Sequence, residues 1–442
     1  FATSFIIDGI ILETGYSTMK GDNGNMEQYS TGRKVSVAIG VTIILATATG
    51  GTTVCNAIVP FLLKGMNVTL ATFMIGPTIA TILSFIMSVL GIKIIDLIGA
   101  KWCMLIGSIC SGFTIYLIGT ATSLPMWIVA NVLNGIVLAV ATYASAGGVI
   151  APFWGKDTQK TFGVVGGITA LLVATWVAIT GFLLSSIPYQ TLFTVYAVGI
   201  VVIGALCNFV LIGKVPRKKM ASKEPSTEKK EEVASEVPGF TFAETLKKGP
   251  SIFCFLIAMF CIAWCATGVQ SYSSVYYTSF GMAATTAALL LSVYSYSAAV
   301  LKLASGFLVK KLGLKVMSMC IYLGFAIGMV MLLIWSQTGI IAFAIIGMVL
   351  CAFISYAAMI PGLFVPDLYG MKDYTGINSG GVAGFYLGSV FVLGGLSAII
   401  GGLGYFNSFV LLAVLAVVAM VFMLIAVATS PMKKEKKKMK EE

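Results

Sequence analysis

Apolar positions in this chain neither alternate nor recur with a helical stripe; they run on without interruption. Residues 102–155, 161–213, 316–366 and 374–432 contain no Asp, Glu, Lys or Arg, and residues 249–309 contain one, Lys302. A bilayer core takes about 20 apolar residues per helix, so each run is long enough for two crossings. Only helices or closed barrels satisfy the backbone in lipid, and barrel strands would alternate. Each run also carries a turn signal near its middle: Thr122–Pro125, Ser185–Pro188, Ser279–Gly281, Ser336–Gly339 and Gly401–Asn407. With single crossings at 35–63 and 68–92, the pattern predicts an all-α integral membrane protein of twelve transmembrane helices.

Charge supports that count. Of the 28 Lys and Arg, all but Lys64 and Lys302 fall on one side of a twelve-helix chain, which the positive-inside rule makes cytoplasmic, together with both termini. The net charge of +11 therefore reports topology and an attraction to membrane lipid, not to nucleic acid. The nine Cys all lie in predicted helices, read as small apolar packing residues, with no metal or cofactor expected. The stretch at 5–12 is too short, and too interrupted by Asp8, for a signal peptide or a span.

The chain repeats itself at an offset of 214 residues. Asp96, Gly99 and Lys101 after the second helix correspond to Lys310, Gly313 and Lys315 after the eighth; Pro152 and Gly166-Gly167 correspond to Pro366 and Gly380-Gly381; Asn56 corresponds to Gln270. Between the halves, residues 214–248 carry fifteen charges and three prolines, a composition read as a solvated tether. The expected organisation is a cytoplasmic tail 1–34, a six-helix bundle 35–213, the linker 214–248, a second six-helix bundle 249–430 and a Lys-rich tail 431–442. Duplicated halves of this kind suit secondary transporters, whose substrate site lies between repeats near the midplane.

The stretch Gly91-Ile-Lys-Ile-Ile-Asp96-Leu-Ile-Gly99-Ala-Lys101 resembles the loop 2–3 signature of the major facilitator superfamily, with its first glycine one residue early; Gly306-x3-Lys310-x2-Gly313-x-Lys315 keeps the spacing with Lys for Asp. The resemblance covers residues 33–431 and implies two pseudo-symmetric six-helix bundles and a monomer. Pro366-Asp-Leu-Tyr-Gly-Met-Lys-Asp373 is similar to a segment of the monocarboxylate and oxalate/formate transporter branch. In that branch the eighth helix bears an Arg or Lys, where Lys302 stands, that binds substrate carboxylate. Two departures matter. Residues 376–401 hold no second cation, which suits a monoanion better than a small dicarboxylate. Ala298 occupies the place where proton-coupled members carry Asp, and the chain has no His.

A charge at mid-membrane costs about 2.5–3.5 kcal/mol on insertion scales. For Lys302 that cost is offset either by a bound anion in a wet cavity or by snorkelling of the stem towards the cytoplasmic interface. Its repeat partner is Ser88, its helical neighbours Ser295, Ala298, Ser305 and Gly306 are small, and no acid lies in a predicted helix; all three favour an external anion. The travelling partner would be a proton, if the lysine is charged only when loaded, or a counter-anion, if it is always charged. Asn56 and Gln270 are substrate contacts or interhelical hydrogen bonds. Asn134, with Asn131 on the same face, is more readily structural. Tyr272, Tyr276, Tyr294, Tyr296 and Tyr356 offer hydroxyls to an organic anion or form an interfacial belt. Asp96, Lys101, Lys310 and Lys315 are read as cytoplasmic gate charges, against plain topology-setting charge for the lysines. Glycines at 380, 384 and 388, and at 163 and 167, are read as close helix contacts that let the halves rock.

The expected function is a secondary transporter of a small monocarboxylate-like anion in the plasma membrane, importer or exporter, by symport or antiport. A drug exporter or neutral-solute carrier is the nearest alternative. A transporter-like sensor would need a longer cytoplasmic domain, and an enzyme a nucleophile–base pair that is not visible.

Overall fold

A computed structural model describes residues 29–140, 143–154, 158–215, 239–370 and 372–433. Among these the chain forms twelve helical segments. Helix α1 (Thr31–Ala57) continues past a kink at Ile58 as Val59–Met66, and α2 is Leu70–Ile98. Next come α3 (Ala100–Thr120), α4 (Leu124–Val140, then Tyr143–Trp154), α5 (Thr158–Leu183) and α6 (Tyr189–Leu206, ending in a π turn Cys207–Ile212). In the second half α7 is Ser251–Ser279. The run Ala284–Thr338 breaks at Gly313 into α8 and α9. Helix α10 is Ile341–Cys351, a 3-10 segment Ala352–Ala358 and Ile360–Tyr369; Tyr374–Ala428 breaks at Gly404 into α11 and α12. Eight helices are long and apolar enough to cross a bilayer as they stand. Gly404 divides the longest of them, α2 and α10 qualify through bent pairs, and α4 contributes the shorter Leu124–Val137.

The corners show why the repeat could be read. Gly99 and Gly313 both adopt positive φ (96° and 73°) and join their helices with no further loop. Asn67 and Gly281 lie at the same offset and also have positive φ (51° and 87°), a region open to Gly and, among other residues, best tolerated by Asn.

Call the end bearing the linker the charged end and the opposite one the far end. At the far end the core is continuous across both halves: Val54, Ile58, Leu62, Trp127, Val177 and Phe193 belong to one cluster with Tyr272, Leu291 and Phe409. At the charged end the first half keeps a separate core around Val41, Met104, Val149 and Phe153. Two antiparallel seams join the halves. Along α5 and α8, Gly181 abuts Leu289, Thr175 Oγ1 accepts from the Tyr296 hydroxyl at 2.9 Å, and Gly167 receives Leu303. Between α2 and α11, the rings of Phe85 and Tyr386 lie 5.9 Å apart. Outward, Val195, Val198, Phe209 and Val210 of α6 are exposed, an apolar strip that fits lipid and not water.

Three expectations need correction. Helix α1 begins at Thr31, not 35, because Ser30 caps it and the Arg33 guanidinium is drawn in, donating to the carbonyls of Leu211, Ile212 and Lys214 at the frayed end of α6. Helices α2 and α10 run past their apolar stretches, so Asp96 and Asp367 fall in last turns, Asp367 exposed; the statement that no acid lies in a helix holds only for the mid-membrane turns. The linker is not a tether throughout, since 239–248 folds onto the corner between α10 and α11. Phe240 N donates to Tyr369 O (2.9 Å), Phe242 N donates to Asp373 Oδ2 (2.9 Å), and Lys372 Nζ lies 3.2 Å from Glu244 Oε1. Thr241 and Glu244 form a capping box on the short helix Phe242–Lys247, and the Phe242 ring fits the space left by Gly380. Local capping and specific partners outweigh composition here. Residues 1–28, 216–238 and 434–442, including the apolar stretch at 5–12 and most of the linker and tail, lie outside the described residues.

Asp373 accepts from both Phe242 N and Gly376 N, so it holds the docked segment and caps α11 at once. Asp373→Ala should speed trypsin cleavage after Lys247 and Lys248 several-fold, as expected for losing a cap worth about 1 kcal/mol; an unchanged cleavage rate would rule out this anchoring. The Thr241 amide and then the Lys372 ammonium hold the Glu244 carboxyl below its ordinary range. Its contribution to docking is therefore present above the ordinary carboxylate range and lost as pH falls through the depressed value.

Candidate functional site

Around α8, successive residues turn by about 100°. Leu291, Tyr294, Ser295, Ala298 and Ala299 make up a buried arc, and Lys302 falls at its middle. Leu303, Tyr296 and Val300 form the exposed side, with Val300 60% exposed. Lys302 itself is half-buried, roughly 16 Å along the helix from Gly313. Among the described residues its ammonium has no hydrogen-bond or ion-pair partner, unlike Lys372, which pairs with Glu244. The stem thus leaves the helix on the side away from the most exposed position, unlike a lysine reaching for lipid headgroups across an apolar face.

The turn that carries Lys302 is held on both flanks. On one side the Tyr356 hydroxyl donates to Leu301 O at 2.6 Å. On the other, Leu303 occupies a notch at Gly167 of α5, where a Cβ would come within 1.9 Å of its Cδ2. Gly167 is thus a bundle-to-bundle contact. The α11 glycines instead serve their own half: Gly384 and Gly388 face α7, and Gly380 faces the linker's Phe242. Gly163 faces open space.

The five tyrosines sort by what their hydroxyls do. Tyr272 donates to Leu393 O, Tyr276 to Leu332 O, Tyr296 to Thr175 and Tyr356 to Leu301 O. Tyr294, 5% exposed on the buried arc, alone among the five makes no such bond. Tyr356 therefore does not offer the free donor expected of a substrate contact, because a backbone carbonyl has taken it. Asn131 donates to Trp127 O and packs on Gly76, a structural role. Asn134 is buried, with no side-chain hydrogen bond among the described residues. At the far end α7 meets α1 across the halves: Ser274, one turn beyond Gln270, donates to Asn56 O at 2.8 Å. The Asn56 and Gln270 amides are half-buried and have no hydrogen-bond partner among the described residues.

Of the four gate residues, the structure describes the side chains of Lys101 and Lys315. Lys101 Nζ lies over the Trp102 and Phe209 rings at 5.7 and 5.5 Å, both on its own half, an arrangement that suits a cation. Lys315 is exposed, and the side chains of Asp96 and Lys310 lie outside the described residues. Sequence reasoning missed Arg33; its signal was a lone guanidinium in the last polar turn before the first apolar run. An apolar cavity of about 220 Å³ lies between α7, α11 and α12, lined by Phe260, Cys261, Trp264, Ile399, Leu411 and Leu415; none of the candidate residues lines it. No group of three or more Cys, Asp or Glu able to hold a metal occurs among the described residues.

Comparison with curated proteins gave no match. Solved structures do match. A bacterial homologue of the human lysosomal transporter Spinster, in an inward-facing and unoccupied conformation, superposes with a TM-score of 0.66 at 13% identity, over 91% of this chain and 98% of that one. The nucleoside transporter NupG superposes with a TM-score of 0.68 at 14% identity, over 88% and 99%. These likenesses speak to fold. The sequence itself matches the model of the Major Facilitator Superfamily over residues 41–365 and again over 275–442. With twelve helices in two six-helix bundles and a family match spanning nearly all of them, the chain belongs to the Major Facilitator Superfamily.

Proposed function

We propose that this multi-pass transporter moves a small, monocarboxylate-like organic anion across the cell membrane by alternating access, with Lys302 pairing the carboxylate. The observation that carries the reading is the placement of Lys302 at the middle of the buried arc of α8, without a partner among the described residues. A cation in that setting is stabilised by an anion that comes and goes, and an unpaired one is costly. Tyr294, on the same arc and with its hydroxyl unspent, is the nearest candidate for orienting the organic part. Gln270, Asn56 and Asn134 supply unbonded amides. Both termini face the cytoplasm in this reading, because the side with the linker and tails carries nearly all the Lys and Arg. The Ser274–Asn56 bond and the Gly181–Leu289 contact close the far end, and they are the contacts that part when the site opens outward.

The three unbonded amides also favour a second reading, a polar neutral solute of the kind named for NupG. Uptake into vesicles containing the purified protein separates the two. Labelled formate, lactate, pyruvate, acetate and oxalate are compared with a labelled nucleoside. Uptake of at least one monocarboxylate, with little of the nucleoside, is expected; nucleoside uptake with none of the acids would overturn the anion assignment.

A further inference from the structure

We infer that Tyr356 is a positioning residue for Lys302: its hydroxyl fixes the backbone of the lysine's own turn, so that the ammonium is presented to the anion at a set height and rotation. The inference rests on the anion reading above. Tyr356 is 1% exposed and lies in the 3-10 segment Ala352–Ala358, between the two straight parts of α10. Pro361 stands in the first turn of the second straight part; it has no N–H for the carbonyl of Ala357 and crowds it, so the stretch between Cys351 and Ile360 does not close into one regular helix. The stretch Ile341–Ala357, which includes Tyr356, is bent by 53° from Ile360–Tyr369, and the 3-10 winding turns side chains away from the face an α-helix would give them. That winding delivers a buried hydroxyl to α8, and it bonds to the carbonyl of the residue immediately before Lys302.

The opposite flank makes this bond matter. Leu303, immediately after Lys302, bears on Gly167 of the other half. When the halves rock, that contact pulls on the lysine's turn, whereas the Tyr356 bond lies within the second half and resists the pull. A tyrosine whose task was only to fill space would need no hydroxyl there. One whose task was to touch cargo would keep its donor free.

Tyr356→Phe keeps the ring and removes the bond. The test measures uptake of whichever of the five labelled acids the wild type carries best, in vesicles, for wild type, Tyr356→Phe, Lys302→Arg and the double variant. Monodisperse yield and melting temperature serve as folding controls. The expected result is a rise of about fivefold in KM for Tyr356→Phe, the scale of one lost hydrogen bond, with Vmax and folding little changed. The double variant is expected to be no worse than Lys302→Arg alone, because a tether matters only for the group it aims. An unchanged KM in Tyr356→Phe, or losses that multiply in the double variant, would overturn the inference while leaving the anion assignment standing. Full transport by Lys302→Gln would remove the assignment itself, and the positioning role with it.

Discussion

Lys302→Gln protein, reconstituted in vesicles, should lose carboxylate uptake by about a hundredfold or more, and Lys302→Arg should keep a measurable fraction. Two unit charges 4 Å apart at an effective dielectric of 20 attract by about 4 kcal/mol, and part of that is spent in desolvating the anion. What remains is still worth two or more decades in transport. Glutamine keeps the length of the side chain and its hydrogen bonding but removes the charge, so the loss reports charge pairing and not volume. Arginine keeps the charge but spreads it over a planar fork with different reach. The competing account, a lysine whose stem carries the ammonium to water, predicts that Gln transports as well as Lys. The geometry speaks against that account, because Lys302 leaves α8 among Leu291, Ser295, Ala298 and Ala299, on the side away from Val300.

The second large effect is on folding. Gly388→Val should abolish recovery of monodisperse protein, while Gly163→Val should leave it unchanged. A Cβ at Gly388 would lie 2.4 Å from the carbonyl oxygen of Phe260 and 2.8 Å from Ala263 Cβ. The first of these is backbone, so no side-chain rotation relieves it and α7 must separate from α11. Overpacking of a core commonly costs about 1–3 kcal/mol, and a clash with a fixed carbonyl exceeds that range. In a membrane no hydrophobic drive between helices compensates, because close van der Waals contact is itself what joins them. Gly163 has nothing within 4 Å of its Cβ position, which makes it the matched control. Size-exclusion profiles of the two variants in detergent decide the matter: equal recovery would show that α7 and α11 can adapt.

The architecture was legible because it is written in quantities that accumulate over many residues. Uninterrupted apolar runs fixed the crossings, turn residues fixed the corners at Gly281, Gly339 and Gly404, and the offset of 214 tied Gly99 to Gly313. Legibility declined where one residue decided the outcome. Arg33 reads as an ordinary basic flank, yet its guanidinium stitches α1 to the end of α6. The segment 239–248 looks like the close of a charged tether, but a capping box and Asp373 give it a seat. Tyr356 reads in the sequence as one of five tyrosines that offer a hydroxyl to an organic anion or form an interfacial belt. No spacing rule reveals that a 3-10 stretch before Pro361 turns it onto a carbonyl. Of the site, the cation could be found from sequence, since an isolated charge in an apolar run is conspicuous. What steadies it could not, since those partners come from α5 and α10, more than fifty residues away in either direction.

Gly313 joins α8 to α9 with no spare residue between them. A tilt of the rod that bears the ammonium is therefore taken up at that one glycine or passed straight on to α9, whose Val316, Ile327 and Val330 present an exposed apolar flank. Slow steps in the carrier's cycle would then feel the thickness and viscosity of the surrounding bilayer as well as the chemistry of the cargo.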